Sequence, residues 1–324
     1  MPSRKSHHPF PQMDVEIGLD RITPDPNSVV TVGTFDGVHR GHRAIVRYLT
    51  RRAEKRSGRS TVVSFDPHPR QVVHGDPVPL LTTVEERAAL LEELGLDRFV
   101  VIPFTNAFAQ LQAVDYVEEV LLETVGLKEI VIGYDHRFGR GREGDRDLLE
   151  SMGHEHGFSV DIIPPQVVND DVVSSRDIRT LLQDGGAVEE AATMLGHRYA
   201  LRGTVERGAG RGRKIGYPTA NLDVIGAHKL VPRIGVYATI VEVTETGDRY
   251  GGMMNIGRRP TFEEMDVTAE VHILDYSGDL YGQTLRVEFL RRLRDEQKFD
   301  SVDALTMQLS EDETHCRKVV QTLA

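Results

Sequence analysis

The sequence predicts an α/β domain followed by an all-β domain: a doubly wound parallel sheet first, then an antiparallel β-barrel with a terminal helix. Three observations predict this. Between Val29 and Ile163, short β-branched runs alternate with amphipathic helical patterns, the order that gives a parallel sheet with right-handed crossovers. From Tyr199 onward, β segments follow one another with turn signals and no long helix between them. A length of 324 residues accommodates two domains of ordinary size.

Taken in order, residues 1–12 carry no apolar core and read as a disordered leader. Residues 13–185 form the first domain. Val29, Val30 and Val32 make a short buried strand. The chain then breaks at Gly33 and Gly37 and becomes helical near Gly41, with Ile45, Tyr48, Leu49 and Ala53 on one face. Thr61–Phe65 is the second strand, ended by Asp66-Pro67-His68-Pro69. Thr83 and Glu86 form a capping box for a helix through Leu94 that Gly95 closes. Arg98–Pro103, Ile130–Gly133 and Val160–Ile163 are further strands, with a helix over Ala113–Thr124. Ala187–Leu195 is a short helix within a linker spanning 186–198. The barrel domain, 199–324, contains strands at Tyr199–Glu206, Val236–Val243, Gly251–Ile256, Ala269–Asp275 and Leu285–Leu290. An amphipathic helix runs from Ser301 to about Leu323.

The richest chemistry in the first domain lies at its first strand–helix turn. A strand, a turn with Gly33 and Phe35, and a helix start at Gly41 point free N–H groups and a positive dipole end at a phosphate. His39 and His42, three apart, put both imidazoles on one side, and Gly41 leaves the backbone open to a ligand. The residues alone also fit a polar turn whose histidines merely cap the helix. Asp135 follows another strand, so it can face the same site. Ser174 and Ser175 open a further helix with Arg176 and Arg179. A serine pair there serves as a cap or, with Arg179 one turn on, as a grip for a triphosphate.

In the second domain, Gly208, Gly210 and Gly212 alternate before Arg213 and Lys214, and can wrap N–H groups and charge around phosphates. The stretch lacks the Gly-Lys-Ser/Thr ending of a Walker A loop, and no helix is expected after it. Thr219 and Asn221, two apart on an extended segment, offer neutral oxygens suited to Mg²⁺ shared with substrate phosphates. Strand alternation places Arg286 and Glu288 on one face. Glu288 reads either as a solvent-facing salt-bridge residue or as a general base within reach of a bound ATP.

His-x-Gly-His after a strand resembles the signature of the nucleotidylyltransferase superfamily. Together, Gly-Thr-Phe-Asp-Gly-Val-His-Arg-Gly-His, Gly-Tyr-Asp-His-Arg-Phe-Gly, Ser-Ser-Arg-Asp-Ile-Arg, Gly-Arg-Lys-Ile-Gly-Tyr-Pro-Thr-Ala-Asn, Asn-Ile-Gly-Arg-Arg-Pro-Thr-Phe and Leu-Arg-Val-Glu-Phe resemble the bacterial bifunctional riboflavin kinase/FAD synthetase family in order and over nearly the whole chain. The resemblance implies that the barrel phosphorylates riboflavin to FMN and that the first domain transfers AMP from ATP to FMN. FAD and pyrophosphate are then the products, and Mg²⁺ accompanies ATP. It further implies ATP-phosphate contacts for His39, His42, Ser175 and Arg179, a place for Asp135 at the ATP/FMN site, Mg²⁺–ATP binding by Thr219 and Asn221, and Glu288 as the kinase base. Arg286, like Asp135, is expected to bind the flavin. The chain departs from the family at Arg176, where serine or threonine is usual, and at His136, where phenylalanine or another apolar residue is usual.

Composition narrows the alternatives. The chain is 39% hydrophobic and carries a net charge of -11, which argues against broad nucleic-acid binding. No apolar run approaches the ~18 residues of a membrane span. The single cysteine excludes an internal disulfide framework and fits a reducing cytoplasm. Three other readings stand beside the bifunctional enzyme: a kinase with a silent first domain, a flavin carrier that consumes no ATP, and a relative of class I aminoacyl-tRNA synthetases. Retained His39, His42 and Arg179 speak against the first. The acidic balance speaks against the last. Oligomeric state is not readable.

Overall fold

Six parallel strands make the first sheet: β1 (Asp14–Ile17), β2 (Ser28–Val32), β3 (Arg59–Asp66), β4 (Arg98–Pro103), β5 (Leu127–Gly133) and β6 (Ser159–Ile163). They are ordered β1-β4-β3-β2-β5-β6. Every residue of β2 is buried, as a central parallel strand requires. The computed structural model describes residues 12–133, 136–164, 167–168, 171–208, 212–260 and 265–323. It divides into two compact units, one running through Ser174 and the other from Ser175.

Helices cover both faces of the sheet. On one side α1 (Arg40–Arg56) and α3 (Val84–Glu92) contribute Val46, Leu49, Ala53 and Leu91 to a core with Val29, Val62 and Phe99. On the other, α4 (Ala113–Asp115), continued by π-wound turns over Tyr116–Val125, and α5 (Arg146–His156) contribute Val117, Leu121, Leu149 and Met152. A short α2 (Pro69–His74) precedes α3, and β7 (Val167–Val168) pairs with β8 (Asp171–Val172). The doubly wound architecture expected from the sequence is present. Its order reverses at β2, whose neighbours are β3 and β5, and that reversal opens a ligand crevice at the C-terminal ends of β2 and β5.

The second unit begins with α6 (Ser175–Thr180), continued by a π-wound turn over Leu181–Gly185, and α7 (Val188–Leu195). Six antiparallel strands then close into a barrel in the order β10-β13-β12-β11-β14-β9: β9 (Ala200–Glu206), β10 (Ala220–Val224), β11 (Gly235–Val243), β12 (Asp248–Pro260), β13 (Met265–Ile273) and β14 (Thr284–Arg294). Closure removes the sheet edges. Alternation sorts the residues: Tyr237 and Phe289 meet edge to face at 5.2 Å on one face, while Ala238, Ile240 and Met253 pack against Cys316 and Val319 of α8 (Val302–Leu323) on the other.

The expected strand and helix positions match within a few residues, with β1, β7, β8, β10 and the short α2 added. β1 and β10 are strands that the sequence reading leaves unassigned. β1 is a four-residue edge whose Val15 and Ile17 are exposed, so burial leaves no apolar signature there. The leader, apart from Gln12, lies outside the described residues.

Arg98 carries the heaviest electrostatic burden in the first unit. It is fully buried, and its guanidinium donates to Glu16 Oε2 at 2.6 and 3.0 Å, to Thr23 O at 2.6 Å and to Val125 O at 3.2 Å. Those bonds tie β1 and the segments leading into β2 and β5 to β4. Removing one partner of a buried pair strands the other charge. Glu16→Ala is therefore expected to lower the stability of the first unit by about 3 kcal/mol in urea denaturation.

Candidate functional site

The first site is the turn between β2 and α1. A Cβ on Gly33 would lie 3.1 Å from the Phe35 ring, so the missing side chain lets that ring fold back, with Phe35 itself at φ 49° and buried. The turn is held from beneath. The buried Asp36 carboxylate accepts from Leu81 N (3.1 Å), Thr82 N (2.9 Å) and Thr82 Oγ1 (3.1 Å), and Gly37 N donates to Thr82 Oγ1 (2.9 Å). Arg87, nearly buried on α3, donates to Thr34 O (2.7 Å) and Ser64 Oγ (2.9 Å).

His39 is the N-cap of α1: its Nδ1 accepts from His42 N at 3.4 Å, which leaves the proton of the neutral ring on Nε2. The His39 and His42 rings stack with centroids 3.6 Å apart, and the Phe35 ring lies 4.7 Å from His42. A Cβ on Gly41 would press on the His39 ring at 3.0 Å. His42 Nδ1 is enclosed, with no hydrogen-bond partner among the described residues. Burial first, then the charges of His39 and Arg87, holds the His42 pKa well below the ordinary histidine value. The stack therefore presents uncharged, enclosed nitrogen beside a helix N-terminus, a setting that an arriving anion stabilises strongly.

At the C-terminal ends of β5 and β6 a cleft is lined by Ile132, Gly133, His136, Arg137, Asp145 and Arg146, among others. Asp145 caps α5 by accepting from Leu148 N and pairs with Arg137 at 2.9 Å. The bond from Leu148 N leads the interactions that depress its pKa. The His136 ring lies nearly parallel to Phe138 at 5.9 Å. Asp135 lies outside the described residues, as does Gly210.

Ser174 ends the first unit and Ser175 opens α6, so the segment with Arg176 and Arg179 belongs to the barrel's unit. Ile178 and Leu182 are buried and Arg176 is exposed. Arg233 N donates to Leu182 O (2.9 Å), and its guanidinium donates to Asp184 O (2.6 Å), fastening the far end of the helix.

The second site gathers around β10. Gly212 and Arg213 lie in a four-residue 3-10 turn, Gly212–Ile215, that also carries Lys214, where no helix was expected. The glycines are sterically required. A Cβ on Gly208 would overlap the Asn221 amide, and one on Gly212 would overlap Tyr217 O. Thr219 Oγ1 lies 3.4 Å from Glu270 Oε2, and Asn221 is the cross-strand partner of Glu270. Thr219, Asn221 and Glu270 thus present an amide, a hydroxyl and a carboxylate together.

Arg286 and Glu288 lie on another part of the barrel from Thr219 and Asn221, although the sequence reading puts Glu288 within reach of the same ATP. On β9, Asn221 pairs with Glu206 whereas Glu288 pairs with Ala200, six residues along, or roughly 20 Å of strand. Glu288 is instead bonded by Arg286 and pairs with Arg249 (2.9 Å) and Arg198 (3.5 Å). Burial alone would raise its pKa, but Arg286, then Arg249 and Arg198, hold it below the usual glutamate value.

Comparison with known proteins matches both halves of the chain. A family model described as FAD synthetase matches residues 22–177, and one described as riboflavin kinase matches residues 195–320. The chain is 37% identical to the bifunctional riboflavin kinase/FMN adenylyltransferase of Escherichia coli K12 over 91% of its length and 93% of that protein. It belongs to the bifunctional riboflavin kinase/FMN adenylyltransferase family. The Listeria monocytogenes member of this family is 35% identical over 96% of each chain. A crystal structure described as a macrolide-efflux protein from Streptococcus pneumoniae superposes with TM-score 0.84 at 32% identity, covering 94% of this chain and 99% of that one. No described helix here is long and apolar enough to cross a membrane.

Sequence reasoning missed Asp36, Arg87 and Glu270. Asp36 stood within the Gly-Thr-Phe-Asp-Gly stretch as unexplained spacing. Glu270 had a fainter signal, a carboxylate alternating with apolar Ala269 and Val271 on a strand.

The lowered His42 pKa carries a sign. The unfolded chain takes up that proton first, so stability is unaffected above the unfolded pKa of about 6.5 and falls as pH drops below it. Urea denaturation at about pH 7.5 and about pH 5.5 is expected to show wild type losing more stability than His42→Gln over that interval.

Proposed function

We propose that the chain makes FAD from riboflavin in two ATP-consuming steps, each assigned to one of the sites above. The observation that carries this is the pairing, in one chain, of a stacked histidine pair at a helix start with a hydroxyl–amide–carboxylate group beside a glycine loop. In the kinase step, the riboflavin 5′-hydroxyl attacks the γ-phosphorus of ATP and ADP leaves. Glu270 takes the hydroxyl proton, while Thr219 and Asn221 orient the triphosphate, with Gly212, Arg213 and Lys214 around its phosphates. Glu270 is preferred to Glu288 as base because it faces Thr219 and Asn221, whereas Glu288 neutralises three arginines on another part of the barrel.

ATP-using kinases and adenylyltransferases work with a divalent metal, and we assign Mg²⁺ here. The donor set fits a hard cation: the Thr219 hydroxyl and Asn221 amide oxygens, completed by substrate phosphates rather than by a preformed cage. Among the described residues no group of three His, Cys, Asp or Glu side chains is placed to hold a metal. When bound, such an ion neutralises charge on the phosphates during transfer.

In the adenylyl step, an FMN phosphate oxygen attacks the α-phosphorus of ATP and pyrophosphate leaves. His39 donates from Nε2, and His42 gains charge as the triphosphate raises its pKa, so the pair stabilises the transition state electrostatically. Gly33, Phe35 and Gly41 leave room for the nucleotide, and Ser174, Ser175, Arg176 and Arg179 grip its phosphates. Asp135 is assigned to the flavin side of this site. Arg286, expected at the flavin, pairs with Glu288 on the outer face of β14 and is assigned a structural ion-pair role instead. A cytoplasmic location fits the single cysteine and these substrates.

Chromatography of flavins after incubation with riboflavin, ATP and Mg²⁺ is expected to show FMN and then FAD. Unchanged riboflavin would return the carrier reading. Glu270→Gln is expected to slow FMN formation by about 10²- to 10⁴-fold and leave FMN-to-FAD conversion intact. Glu288→Ala should retain most of the kinase activity; its abolition would restore Glu288 as the base.

A further inference from the structure

The kinase site read above depends on one short turn, Tyr217-Pro218-Thr219, entering β10. Two side chains that take no part in the phosphoryl chemistry hold it. His272 lies two residues beyond Glu270 on β13 and therefore on the same face. Its Nδ1 lies 2.8 Å from Pro218 O. A carbonyl only accepts, so Nδ1 must carry the hydrogen, which fixes the ring's orientation. The Tyr217 ring meets the His272 ring edge-on at 5.2 Å and 63°.

Tyr217 is itself tethered. Tyr217 packs against the cluster that α8 shares with the barrel, its hydroxyl under the influence of Glu313 and Ser310, and Tyr217 N donates to Gly212 O at 2.9 Å. Glu313 accepts from Arg317 at 2.8 and 3.0 Å, and Arg317 forks onto Asp275, just beyond β13, at 2.7 and 2.9 Å. The path closes on itself: β13, Asp275, Arg317, Glu313, Tyr217, His272 and β13 again. What this ring fixes is the carbonyl one residue before Thr219, and so where the Thr219 hydroxyl points relative to Glu270.

We propose that His272, braced by Tyr217, is a positioning residue for the riboflavin kinase reaction: it holds the Pro218–Thr219 turn so that Thr219 and Asn221 meet the ATP phosphates opposite Glu270. The proposal rests on the reading of Thr219, Asn221 and Glu270 as the kinase site. His272 contacts no reacting atom; it acts through Pro218 O.

The test uses the full chain and its two activities. His272→Ala is expected to raise the KM for ATP in riboflavin phosphorylation about five- to tenfold, the scale of one lost hydrogen bond. The KM for riboflavin and the FMN-to-FAD rate should hold. The amide nitrogen of asparagine falls where Nδ1 lies, so His272→Asn should return the KM for ATP to within about twofold of wild type, while His272→Gln, reaching toward Nε2, should not. A merely structural histidine would show no such split between Asn and Gln. Thr219→Ala separates the two layers. If Thr219→Ala impairs the kinase and His272→Ala does not, or if Asn rescues no better than Gln, the positioning role is wrong. If Thr219→Ala leaves the kinase unchanged, the site reading fails and takes the positioning role with it.

Discussion

A carboxylate at 1% exposure, Asp36, governs the shape of the first site. A buried charge of this kind persists only when its lone pairs are filled, and three donors from Leu81 and Thr82 fill them. That requirement pins the β2–α1 turn to the chain leading into α3. Within the same turn Phe35 and Val38 adopt positive φ, conformations that cost free energy and survive only where the surroundings over-determine them. The strain is spent on the placement of His39 at the cap and His42 stacked on it. Burial strips His42 of its charge, so the site is electrostatically incomplete until a polyanion arrives. Catalysis by fixed dipoles needs that kind of advance organisation.

The second unit reaches a similar end by other means. Its phosphate loop is shaped less by hydrogen bonds than by omitted side chains, since Gly208 and Gly212 bring backbone against Asn221 and Tyr217. Its polar groups lie on the outer face of a barrel whose interior is filled by Tyr237, Phe289 and their neighbours, so the chemistry is mounted on the closed sheet rather than enclosed by it. Arginines dominate a separate part of that outer surface around Glu288. There the carboxylate serves the arginines, and the favourable pairing that lowers its pKa makes it a poor acceptor of a substrate proton.

The order of elements was legible because periodicity survives burial on one face: β2, β3 and β4, α3 with its capping box, and α8 all carry a period of 2 or 3.6 that one sequence displays. β1 and β10 were not, because a four-residue edge strand and a five-residue strand of mixed polarity have too few buried positions to show one. At the sites, local motifs were readable and pairings across strands were not. His39 and His42 are neighbours in sequence, so their stack was foreseeable from spacing. Glu270 meets Thr219 across 51 residues, and Glu288 is parted from Asn221 by a register that only strand pairing sets. The motif Leu-Arg-Val-Glu-Phe offers one carboxylate and β13 another, and only strand pairing shows which of them faces Asn221.

The placement of α6 bears on how this chain can be divided. The helix opens with Ser175 and Arg179 at one end and is fastened by Arg233 at the other, with Ile178 and Leu182 buried along it. A gene split just after Ser174 would keep this helix with the residues that bury and fasten it, whereas one after Gly186 would part Leu182 and Asp184 from Arg233. The helix therefore travels with the barrel whenever the chain is cut, and a truncation that ignores it exposes Ile178 and Leu182.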